Sequence, residues 1–72
     1  MKLTECNLNG IYVVESIDLS DKDSLSKISA MGILPGTEII FLQKKPTLLF
    51  QVYNSRFAID NYLGEKINVR PL

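Results

Sequence analysis

Histidine and tryptophan are absent from this 72-residue sequence, and cysteine occurs once. Without histidine the chain has neither the commonest general base nor the commonest metal ligand, so no catalytic residue is expected. A tight ferrous or zinc site draws on His and Cys clusters, and none is expected here. Nothing in the sequence asks for a cofactor. The single thiol, Cys6, has no partner for an internal disulfide. A small domain without one fits a reducing compartment, and the cytoplasm is the expected location.

An excess of charge of either sign is also lacking. Eight Lys and Arg residues balance eight Asp and Glu residues, for a formal net charge of +0. A neutral domain has no basic field to hold phosphates, so nucleic acid is not expected as a partner. Long hydrophobic runs are missing too: "IIFL" and "LLF" fall far short of the ~20 residues of a membrane span. The opening "MKLTECNLNG" has no apolar run behind its lysine and does not read as a signal peptide. The chain is expected to be soluble, without direct membrane insertion.

What the chain does have is a globular composition, 46% hydrophobic and 22% charged. Its length allows one domain, residues 1–72, whose stability margin is thin because a chain this short buries only ~60% of its unfolded surface. "IYVVESI", rich in β-branched and aromatic residues, predicts a first strand over Ile11–Ile17. Ser20, Asp21 and Asp23 then offer side-chain oxygens for a helix N-cap. Leu25, Ile28 and Met31 follow at i, i+3, i+6, a two-turn helical stripe predicted over about Asp23–Met31. "TEIIFLQ" and "TLLFQVY" read as strands joined at "KKP", and Leu48, Phe50 and Val52 share the face expected to be core. "YNSRFAI" predicts a hairpin about Asn54 and Ser55, then a fourth strand over Arg56–Ile59. "DNYLGEK" is a short connection with room for one helical turn, and "INVRPL" closes as a fifth strand. Five short strands with one inserted helix imply a small, strongly bent, mainly β barrel. Leu25, Ile28, Met31, Ile39, Phe41, Phe50, Val52 and Ile67 are its expected core.

The most constrained stretch is "AMGILPGTEI". Met31 ends the stripe, and Gly32 can take the left-handed conformation that closes a helix. Pro35 and Gly36 then suit the two central positions of a type II turn: proline fixes φ near −65° and glycine accepts the positive φ that follows. The sequence thus encodes a sharp helix-to-strand corner.

The same residues carry a resemblance. Lys27, Ile28, Met31, Gly32, Ile33, Pro35, Gly36 and Ile39 of "KISAMGILPGTEI" resemble the hallmark of the FeoA family, small proteins of bacterial ferrous iron uptake. The end of "FAIDNYLGEKINV" resembles the family's closing Ile-x-Val in Ile67 and Val69. Asp60 stands where that pattern usually has arginine, Gly64 where it usually has alanine, and Lys27 where it usually has arginine. Lys45-Pro46 replaces the usual Gly-Asp-Pro of the central turn. The resemblance implies an SH3-like β-barrel working beside FeoB, the membrane GTPase transporter for ferrous iron. It implies regulation of a transporter rather than carriage of the ion, with any metal binding weak or indirect.

Candidate sites fit a binding module better than an enzyme. Glu15, Asp18, Asp60 and Glu65 are scattered among turns and strand faces, as solvated surface charge is. "TLLFQVY" carries bulky apolar groups on both faces. Leu34, Leu49 and Tyr53, with Tyr62 nearby in sequence, therefore form either a docking patch or a second mini-core under the helix. The functional expectation is a non-enzymatic accessory module that docks on the transporter through Leu34, Leu49 and Tyr53. The alternative is a stand-alone partner of a metal-dependent transcriptional repressor, since such regulators carry similar C-terminal barrels. A nucleic-acid-binding barrel would need a basic face with stacking aromatics, which this composition does not supply. The sequence leaves the oligomeric state open.

Overall fold

Strand β1 spans Ile11–Ile17, as the run of β-branched residues predicts. It is followed by helix α1 (Lys22–Ala30) and strands β2 (Glu38–Gln43), β3 (Leu48–Val52) and β4 (Ser55–Ile59). A one-turn helix, α2 (Asn61–Gly64), and strand β5 (Ile67–Pro71) complete the chain, and a 3-10 turn at Leu3–Glu5 precedes β1. This is a computed structural model, and it describes residues 1–18 and 20–72. The five strands form one antiparallel sheet in the order β4-β3-β2-β1-β5. Bulges between Val14 and Ser16 in β1 and between Phe41 and Gln43 in β2 increase its local twist. The sheet wraps into an incomplete barrel around a single core.

Alternation decides which side chains enter that core. Leu48, Phe50 and Val52 are all buried on β3, as are Ile39 and Phe41 on β2 and Ile67 and Val69 on β5. Each such side chain taken fully out of water contributes about 1.5–3 kcal/mol. Leu3 and Cys6, ahead of the first strand, are buried in the same core. Met1 N and Val69 N–H each donate to the other's carbonyl oxygen, at 3.1 and 2.7 Å, so residues 1–2 cover the outer edge of β5.

Three expectations need correction. Leu25 and Met31 are half-buried rather than buried. Helix α1 is too short to lay a full stripe on the sheet, so Ile28, with no exposed surface, is its main anchor. Second, the β3–β4 hairpin turns about Tyr53 and Asn54, since Val52 pairs with Ser55. Third, β4 consequently starts at Ser55 rather than Arg56. The positive φ, 54°, falls on Tyr53 and not on Asn54. Asn is the residue type more tolerant of that conformation, so local preference is overridden by strand pairing.

Candidate partner-binding groove

The corner after α1 is built as its glycines require. Asp21 caps the helix start: its Oδ2 accepts from Ser24 N–H at 3.0 Å. Hydrogen bonding from Ser24, its side chain first and its backbone N–H second, holds the carboxyl below the usual range. At the other end Gly32 has φ +80°. Gly32 N–H donates to Ser29 O at 2.9 Å and Ile33 N–H to Ile28 O at 3.3 Å, the two bonds of a Schellman motif. Thr37 N–H donates to Leu34 O at 3.0 Å across Pro35-Gly36, and Gly36 has φ +93°, as a type II turn demands. The turn is stitched to β1 by Gly36 N–H to Val14 O at 2.8 Å and Val14 N–H to Thr37 O at 2.9 Å.

Sequence reasoning missed one residue of this corner. The Thr37 hydroxyl, on a buried side chain, donates to Gly32 O at 3.2 Å and accepts from Leu34 N–H at 3.3 Å. It ties the helix end to the turn. Its only sequence signal is a hydroxyl directly after Pro-Gly.

The corner borders a groove on the outer face of the sheet. Ile11, Gly36, Glu38, Ile40, Gln51 and Tyr53 line a volume of about 330 Å³. Strand register brings these residues together: Ile11 pairs with Ile40, and Ile40 pairs with Gln51. One row of side chains therefore crosses β1, β2 and β3. Glu38 supplies a carboxylate, Gln51 an amide and the remaining side chains apolar surface. Tyr53 stands at the rim with 81% of its surface exposed, in a left-handed conformation that is uncommon for a bulky side chain.

Of the three residues expected to dock a partner, the structure brings only Tyr53 into this groove. Leu34 is exposed, beside Pro35 on the corner, and does not line the groove. Leu49 is half-buried, paired across β2 and β4 with Gln43 and Ala58. Tyr62 lies in α2 with the Lys66 ammonium 5.5 Å from its ring centroid. Ile11, Glu38, Ile40 and Gln51 are the groove residues that sequence reasoning missed, because cross-strand register brings them together.

The departures Asp60 and Gly64 have local roles. Asp60 caps α2, its Oδ1 accepting from Leu63 N–H at 2.9 Å. Gly64 is buried where a Cβ would collide with Leu48 Cδ1. Burial also pushes the Cys6 thiol up to about 11, which keeps it protonated and unreactive at neutral pH. Among the described residues no three His, Cys, Asp or Glu side chains are placed to hold a metal ion, and no helix is long and apolar enough to cross a membrane.

The crystal structure of an iron uptake regulatory protein, FeoA, is 28% identical to this chain. The match covers 100% of this chain and 96% of that one, with a TM-score of 0.88. The zinc-complexed FeoA of Stenotrophomonas maltophilia, described as a prokaryotic SH3 domain protein, is 28% identical over 97% of this chain and 89% of its own, with a TM-score of 0.84. IdeR of T. acidophilum, at 19% identity, shares the fold: the match covers 100% of this chain and 34% of that one, with a TM-score of 0.94. No curated protein sequence matches the chain. The FeoA domain model matches residues 1–71. With its SH3-like sheet and its glycine corner in place, the chain belongs to the FeoA family.

Proposed function

We propose that this chain is a non-enzymatic, cytoplasmic accessory module of bacterial ferrous iron uptake that docks on the FeoB-type membrane GTPase transporter and modulates it. The observation that carries this reading is the open groove on β1, β2 and β3, with Tyr53 exposed at its rim. A mainly apolar groove with one carboxylate and one amide suits reversible contact with another protein. Burying two or three of its apolar groups contributes a few kcal/mol before the costs of association.

The residues offer no competing chemistry. The chain contains no histidine, and its one thiol is buried and protonated. The repressor-partner reading rests on likeness of fold at 19% identity, and no feature of the groove favours it. Purified FeoB-type transporter in detergent, titrated with the labelled chain, tests the proposal. Saturable binding is expected, and it should weaken at least tenfold when Tyr53 and the exposed Ile11, both lining the groove, are replaced together by serine. Equal binding by that folded double variant would remove the groove from the account. No binding to the transporter by the unaltered chain would remove the proposal.

A further inference from the structure

The two edges of the sheet are treated differently. The outer edge of β5 is covered by Met1 and Lys2. Strand β4, at the opposite edge, pairs only with β3. Because the two-residue turn makes Val52 and Ser55 a hydrogen-bonded pair, Ser55, Phe57 and Ile59 bond inward, while the backbone of Arg56 and Ala58 points outward. Among the described residues nothing bonds to those outward groups. The β3–β4 register is unbroken over five residue pairs, and β4 contains no lysine, proline or bulge of the kind that blunts an edge.

We propose that β4 is a self-association edge, on which a second copy of this chain pairs antiparallel about Ala58, joining two sheets into one. Charge selects this occupant. Arg56 and Ala58 share one face of β4, and Asp60, one residue past the strand's end with its backbone still extended (φ −78°, ψ 168°), continues that alternation. Antiparallel pairing about Ala58 sets Arg56 of each copy beside Asp60 of the other, giving two ion pairs related by the two-fold axis. Both groups have capacity to spare. Arg56 Nε reaches Gln51 Oε1 only at 3.4 Å, leaving the end of the guanidinium free for a carboxylate. Asp60 spends Oδ1 on Leu63 N–H, leaving Oδ2. Ala58 at the axis is small enough for close approach, and half-buried Phe57 adds apolar contact on the core side. A net charge of +0 means that two copies do not repel each other overall. A single five-residue edge is small beside a standard interface, so the dimer is weak and reversible.

Light scattering of the full chain, followed from micromolar to millimolar concentration, tests this. The apparent mass should double across the series. Ala58→Pro removes an outward donor and no bond to β3, a position at a sheet edge where proline is tolerated, so it should hold the chain monomeric throughout while leaving its circular dichroism unchanged. Arg56→Asp and Asp60→Arg should each be monomeric alone, by like-charge repulsion, and should form a dimer when mixed. That charge-swapped pair decides the matter if Ala58→Pro fails to fold. A wild-type chain that stays monomeric at millimolar concentration overturns the proposal, as does a dimer that survives in Ala58→Pro or in Arg56→Asp.

Discussion

Glycine does two different jobs in this chain, and substitution can separate them. At Gly36 an added Cβ would meet nothing within 4 Å, but φ is +93°. Gly36→Ala is therefore a purely conformational change, expected to destabilise the protein by about 1–2 kcal/mol. At Gly64 the problem is space: a Cβ would collide with Leu48 Cδ1 and sit 3.1 Å from Thr4 Cγ2. Gly64→Ala should cost about 1–3 kcal/mol as overpacking. Leu48→Val should recover part of that loss in the Gly64→Ala background and none in the Gly36→Ala background. Thermal unfolding of the four variants checks this, and equal effects of Leu48→Val in both backgrounds would show that the distinction is false. The first role was legible in the sequence, because proline followed by glycine specifies its own backbone angles. The second was not, because it depends on Leu48, sixteen positions earlier.

At the scale of elements, helix α1 shows how a marginal segment is fixed. Nine residues make a helix too short to persist alone. Asp21 holds its start, the Gly32 bonds hold its end, and Ile28 is its one fully buried side chain. Ile28→Ala should destabilise the fold by about 2–5 kcal/mol. Leu25→Ala, at a half-buried position, should cost well under half as much, and denaturant midpoints of the two variants decide it. Similar losses would mean that Leu25 carries core weight after all. The hydrophobic spacing made the helix legible but ranked Leu25, Ile28 and Met31 equally, since periodicity finds a face and not its depth. The β3–β4 hairpin shows the opposite failure. Local preference pointed to Asn54, while the pairing of Val52 with Ser55 set the turn one residue earlier and forced Tyr53 to positive φ.

The whole molecule joins a rigid corner to an open face. Gly36 belongs to both, closing the turn after α1 and lining the groove. The barrel was legible because strand periodicity and turn residues agree along the chain. The groove was legible in Tyr53 and in the Gly36 corner at its border, but not in Ile11 and Ile40, which lie 29 residues apart in sequence and meet through antiparallel pairing. Under the proposed function, Tyr53 is also where stability and docking separate. Its exposed ring and its positive φ contribute nothing visible to the core, so Tyr53→Gly removes the ring and relieves the backbone together. The most direct test measures ferrous iron uptake in cells that depend on the FeoB-type transporter, lack this protein, and are complemented with wild-type or Tyr53→Gly chain. The account predicts that Tyr53→Gly unfolds at or above the wild-type midpoint yet fails to restore uptake. Full uptake with the folded Tyr53→Gly variant, or normal uptake with no complementation at all, would contradict it.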